Sequence, residues 1–101
     1  MTYDHELNLI ETSIEYDEIG NSVPIETVTP VLCKLVSIGT NEFYVASAQG
    51  LKPEVKFIIH AFEYKGEGHV EFEDVKYSVI RTYRKDSDEI ELTCQRVIGN
   101  A

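Results

Sequence analysis

The chain is predicted to be mainly all-β: a small antiparallel barrel or sandwich of about six strands, with one short helical insertion between the second and third. Three observations lead there. Six Tyr and four Phe join a strong Val and Ile content, the residue types that fit a pleated, half-buried surface. Apolar and polar residues alternate with period two in several separate runs, each bounded by Gly, Asn, Asp or Pro turn signals. A single stretch, Ser37–Glu54, breaks that period and carries helical spacing.

In chain order, Leu7–Tyr16 is the first predicted strand, with Ile10, Thr12, Ile14 and Tyr16 on one face and Glu11, Ser13 and Glu15 on the other. Asp17–Asn21 is a turn, because Gly20 and Asn21 tolerate the positive φ of a tight reversal. The second strand runs from Val23 to Ile38 and is expected to be interrupted near Pro30, an edge or bulge, since proline cannot donate to a ladder. Its later half, where Val31, Cys33 and Leu35 alternate with Leu32, Lys34 and Val36, is expected to be buried on both faces.

Within Ser37–Glu54, Thr40 or Asn41 is the candidate N-cap, and Glu42 falls in the first turn at the positive end of the dipole. Phe43, Ala46 and Ala48 form the apolar stripe, Gly50 suits a left-handed closing position, and Pro53 blocks continuation. About two helical turns cannot stand alone in water, so the segment docks on the sheet or orders against a partner.

Val55–Tyr64 is the clearest strand, with Phe57, Ile59 and Ala61 opposed to Lys56, Ile58, His60 and Phe62. Lys65–Gly68 is expected to be a hairpin loop returning into His69–Phe72. Glu73–Lys76 turns into Tyr77–Lys85, where Tyr77, Val79, Arg81 and Tyr83 share a face opposite Ile80 and Thr82. Asp86–Asp88 leads to Glu89–Val97, with Ile90, Leu92 and Cys94 alternating with Glu91, Thr93 and Gln95.

At 101 residues the chain is expected to be one domain, 1–101, since a single core of this size is normal. Eighteen acidic against nine basic residues give a formal charge of −9, which argues against a nucleic-acid binder with a basic footprint. No apolar run is long enough to span a bilayer, and the N-terminus lacks the pattern of a secretion signal. Cys33 and Cys94 have no metal-ligand spacing and are expected to be buried free thiols of a protein made in a reducing cytoplasm.

No catalytic constellation emerges, so the chain is expected not to be an enzyme, and no cofactor or metal is implied. His5, His60 and His69 are scattered. His60 and His69 could face each other across the Gly66/Gly68 loop, yet no third donor accompanies them. Cys94 with His60 as a nucleophile pair has no orienting group or oxyanion hole. Arg81 is unusual on a face with tyrosines: it is either a structural cation stacked on them and paired with Glu91, or an interface cation.

Glu42-Phe43-Tyr44 with Ala46 or Ala48, then Gly50-Leu51-Lys52-Pro53-Glu54, followed by Phe62-Glu63-Tyr64, Gly66-Glu67 and Tyr77-Ser78-Val79-Ile80-Arg81-Thr82-Tyr83, resemble the head-closure proteins of tailed bacteriophages. These head–tail adaptor or stopper proteins occur in siphophages and in prophages of Gram-positive bacteria. The resemblance covers roughly Val31–Val97; its motifs are structural, not catalytic, and the first thirty residues are less diagnostic.

It implies a β-barrel subunit, made in the host cytoplasm and located in the virion neck, that assembles as a homo-oligomeric, dodecameric ring. The ring would lie between the portal or adaptor and the tail, close the channel on packaged DNA and offer the tail a docking surface. Its plug would be the connection between the second and third strands, here Ser37–Glu54. Asn41, Glu42, Tyr44, Gln49 and Lys52 are then the positions expected to reach the channel or a neighbouring subunit; otherwise Phe43, Tyr44 and Ala46 simply pack the helix on the barrel. The acidic balance suits a passage that repels phosphate. Two other readings remain: a neck or tail-completion connector without gating, and an acidic DNA-mimic inhibitor of a host nuclease or repressor.

Overall fold

The computed structural model describes residues 3–97, and six strands in it close into an antiparallel barrel. They are β1 (His5–Tyr16), β2 (Ser22–Val36), β3 (Val55–His60), β4 (His69–Phe72), β5 (Val75–Arg84) and β6 (Glu89–Arg96). A helix α1 (Thr40–Ser47) lies between β2 and β3, and a short 3-10 turn spans Ala61–Glu63. The short tail from Ile98 onward lies outside the described residues.

Around the barrel the order is β1-β2-β3-β6-β5-β4, with β4 returning to β1. Alternation places one side chain in two inside. Leu7 and Leu9, Val31 and Cys33, Phe57 and Ile59, Val70, Tyr77, Leu92 and Cys94 form the continuous core. Phe57 sits at its centre, its ring 5.3 Å from Phe72 and 5.9 Å from Tyr77. Both cysteines are free and fully buried, and burial pushes the Cys33 thiol up to about 11 and the Cys94 thiol up to about 12.

Several expectations need correcting. Lys65–Gly68 is not a hairpin loop: β3 pairs with β2 and β6, while β4 pairs with β1 and β5, so the segment crosses the barrel end. Gly66 has φ +91°, and the buried Glu67 carboxylate accepts the Lys65 N–H at 2.7 Å, closing this crossing on itself. The true hairpin is β4–β5, whose two-residue turn places Glu73 and Asp74 at φ 50° and 67°. The later half of β2 is buried only on the Val31/Cys33 side, Leu32 being 51% exposed. β3 ends at His60, where the 3-10 turn begins. Pro30 does not interrupt β2; it pairs with Asn8 on one side and meets no strand on the other, because β2 reaches β3 only at Lys34–Val36.

The largest departure is in β1 and β2. Their pairing runs unbroken from His5↔Cys33 to Tyr16↔Ser22, but β4 supports β1 only at Asn8–Ile10. Beyond Ile10 the two strands leave the barrel as a ribbon, every residue of 11–30 exposed, with Lys76 Nζ of β5 donating to Glu26 Oε2 at 3.0 Å near its base. Six residues of strand project about 20 Å, in keeping with the molecule's 50 Å long axis. The regular face of Ile10, Thr12, Ile14 and Tyr16 therefore turns to solvent for most of its length.

Candidate functional site

The outer wall of β3, β6 and β5 is built by register. Lys56 lies beside Thr93, which lies beside Arg81; one step along, Ile58, Glu91 and Tyr83 form the next row. A bulge at Ile80 sets this arrangement. Pairing passes from Val79↔Cys94 to Arg81↔Thr93, so the extra residue moves everything after it to the opposite face. Tyr77 and Val79 stay with the core, whereas Arg81 and Tyr83 face outwards. Arg81 thus does not share a face with Tyr77 and Val79, and its ion contact is with Glu42 at 4.0 Å rather than with Glu91.

Over this wall lies α1. Gly39 is its N-cap, with no side-chain capping bond; neither Thr40 nor Asn41 serves. The C-terminus closes as its sequence suggests: Gly50 takes φ +81°, Leu51 N–H donates to Ala46 C=O at 3.0 Å and Gly50 N–H to Ser47 C=O at 3.0 Å. Glu42 and Ala46, one turn apart, face the barrel, but no helix residue is fully buried. Phe43, expected to pack inwards, is 42% exposed, and Tyr44 and Val45 are more so. The stripe of Phe43, Ala46 and Ala48 is accordingly not the docking face.

What holds α1 is polar. Glu42 Oε1 accepts from Lys56 Nζ at 2.9 Å, and Lys56 also approaches Glu91 at 3.7 Å. Glu91 in turn lies 4.0 Å from Lys85. Beneath the helix, a groove of about 780 Å³ runs between it and the β5–β6 wall. Val45, Ala46, Leu51 and Ile80 give it apolar flanks, with Glu42 and Arg81 among its polar groups.

The groove gathers four of the six singled-out residues, Asn41, Glu42, Gln49 and Arg81. Tyr44 points away, edge-on to Phe43 at 6.3 Å, and Lys52 is exposed past the helix end, its N–H donating to Gln95 Oε1. Lys56, Glu91 and Thr93 were not singled out. Their signal was present only as outward positions on strands whose neighbours were unknown.

Because Glu42 is the helix's main tether, Glu42→Ala is expected to speed amide exchange across residues 40–47 about tenfold, the equivalent of one charged hydrogen bond. Amides of β3 and β6 are expected to keep their protection. Equal acceleration in the barrel would show that the tether is not local.

A second cluster sits where β3 and β6 reach the β5–β6 turn. Tyr3 stacks on His60 at 4.2 Å, and Phe62 follows on His60 at 5.7 Å. Glu89 receives hydrogen bonds from Lys34 Nζ at 2.6 Å and from the Tyr3 hydroxyl. Lys34 first, then Tyr3, holds the Glu89 carboxyl below its ordinary 4.5, while burial and Glu89 push the Tyr3 phenol up to about 12. A depressed carboxyl stabilises the fold above its unfolded value and ceases to as pH falls through its folded one. The stability difference between the native chain and Glu89→Gln is therefore expected to be full at neutral pH and to close below about 4.5, read as Tm against pH.

His60 and His69 do not face each other: His60 pairs with Glu89, and His69 with Ser78 and Ile10. Cys94 lies opposite Val55, five residues from His60 along β3 or roughly 16 Å. Among the described residues no group of three or more His, Cys, Asp and Glu is placed to hold a metal ion, and no helix is long and apolar enough to cross a membrane. No protein-family model matches the chain, and no match to a curated protein is found.

Proposed function

We propose that the chain is a structural subunit of a bacteriophage neck, a head-closure or stopper protein that forms a ring between portal or adaptor and tail, retains packaged DNA and receives the tail. The observation that carries this reading is a closed barrel bearing a connection, residues 37–54, that rests on it without one fully buried helix residue. A gate needs a part that can leave its seat at small cost while the rest stays folded. Three of the segments that carry the resemblance, α1, the stretch through Leu51 and Pro53, and the outer face of β5, enclose one groove, while Phe62–Tyr64 and Gly66-Glu67 lie outside it.

The test is the mass of the purified protein in solution, alone and then mixed with packed, tailless heads. A monomer alone, captured stoichiometrically by heads that then keep their DNA, is expected. Heads that hold DNA equally well without it, yet join tails only with it, would make the chain a connector without gating. A monomer that ignores heads and binds a basic host protein, with affinity falling steeply in salt, would make it a DNA mimic.

A further inference from the structure

We propose that the β1–β2 ribbon of one copy seats in the α1–β5 groove of a second copy, a head-to-tail contact that deepens and rests on the ring reading above. Charge points to this occupant. Residues 1–33 hold seven of the 18 acidic residues and none of the nine basic ones. Glu11, Glu15 and Glu18 on the ribbon have no ion pair among the described residues, and Ile14, Tyr16 and Ile19 stand 55%, 73% and 82% exposed beside them. The ribbon is therefore an acidic wedge with an apolar tip.

The groove is its complement. The groove lining holds Lys56 and Arg81 against Glu42 and Glu91, with Lys85 4.0 Å from Glu91 outside it, so it is balanced on a chain that carries −9 overall. Arg81 is 65% exposed with its one ion contact at 4.0 Å, so the guanidinium is free to take a stronger partner. Apolar flanks at Val45, Leu51 and Ile80 suit Tyr16 and Ile19 better than they suit a phosphate backbone. The strand edge helps too. β4 pairs with β5 only as far as Ser78, and no strand among the described residues pairs with the outer edge of Ile80–Arg84.

The wedge needs no reorganisation to insert. Asp17 Oδ1 accepts the N–H groups of Ile19 and Asn21 at 3.0 and 2.8 Å, and Gly20 at φ +86° closes the turn. Because ribbon and groove are different surfaces, each copy offers one of each, and repeating the contact generates a ring when the rotation closes.

Cross-linking tests this in trans. Ile19→Cys and Tyr83→Cys are made separately, mixed, added to packed heads and mildly oxidised. The native thiols, buried with raised pKa values, stay out of the reaction. A disulfide-linked pair of the two variants is expected. Arg81→Glu in the groove partner is expected to lower its yield at least tenfold, and Glu18→Lys in the ribbon partner to restore it. Capture by heads without that cross-link, or without rescue, overturns the ribbon–groove contact and leaves the ring reading standing. Failure of heads to capture either variant, when the native chain also fails, overturns both.

Discussion

Phe57→Ala is expected to destabilise the chain by about 3–5 kcal/mol, the usual effect of emptying a large aromatic site in a core that cannot collapse around it. The ring is fully buried and lies against two other aromatic rings of the core, Phe72 and Tyr77. It also stands on β3, which joins β2 to β6, so its loss loosens two ladders at once. A domain of this size has about 5–15 kcal/mol in total, and each kcal/mol shifts Tm by roughly 4–8 °C. Loss of at least ~12 °C in Tm is the expected reading. Ile14→Ser on the free ribbon and Phe62→Ala, 79% exposed, are expected to stay within about 0.5 kcal/mol of the native chain. Destabilisation by Ile14→Ser comparable to that of Phe57→Ala would mean that the ribbon folds back on the barrel.

That contrast also shows where the sequence stops being informative. Strand positions were legible because alternation is a local property: Phe57, Ile59 and Ala61 point to the protein interior whatever their neighbours are. The same pattern in Ile10, Thr12, Ile14 and Tyr16 describes a strand equally well, but burial there depends on whether another sheet comes to cover it, and none does. Pairing partners were less legible still. Gly66 and Gly68 announce a change of direction without saying which strands it joins, so a crossing between β3 and β4 carries the same local signal as a hairpin. The bulge at Ile80 has no composition signal, yet that one residue decides which side of the barrel Arg81 occupies.

The helix was found from its spacing and from Gly50 and Pro53, both local signals. Its contact face is not the one hydrophobicity alone points to. On a wall of Lys56, Thr93 and Glu91, the residue that gains most by facing inwards is a carboxylate with a lysine to meet, so Glu42 docks and Phe43 does not. An exposed aromatic pair on a weakly held helix is costly in a monomer, which is the sort of local inconsistency expected at functional surfaces.

Replacing residues 39–52 by a short Gly/Ser turn is expected to leave the barrel folded and to abolish retention of packaged DNA. Val36 and Lys56 are antiparallel partners on adjacent strands, so the ends to be rejoined are already neighbours. Pro53 is buried and the Glu54 N–H donates to Cys94 C=O at 2.9 Å; both stay in place. Lys56 keeps Glu91 when Glu42 goes, and Arg81, which loses its one ion contact, is already 65% exposed to water. Since α1 contributes no fully buried side chain, Tm is expected to change by only a few degrees, about 1 kcal/mol in a domain of this size. Heads assembled with this variant are expected to lose DNA; because the replacement also removes the α1 side of the groove proposed to seat the neighbouring ribbon, the number of subunits held per head, measured alongside, separates loss of the plug from loss of the ring. If such particles kept full genomes and joined tails, residues 37–54 would not be the gate, whatever the ring does.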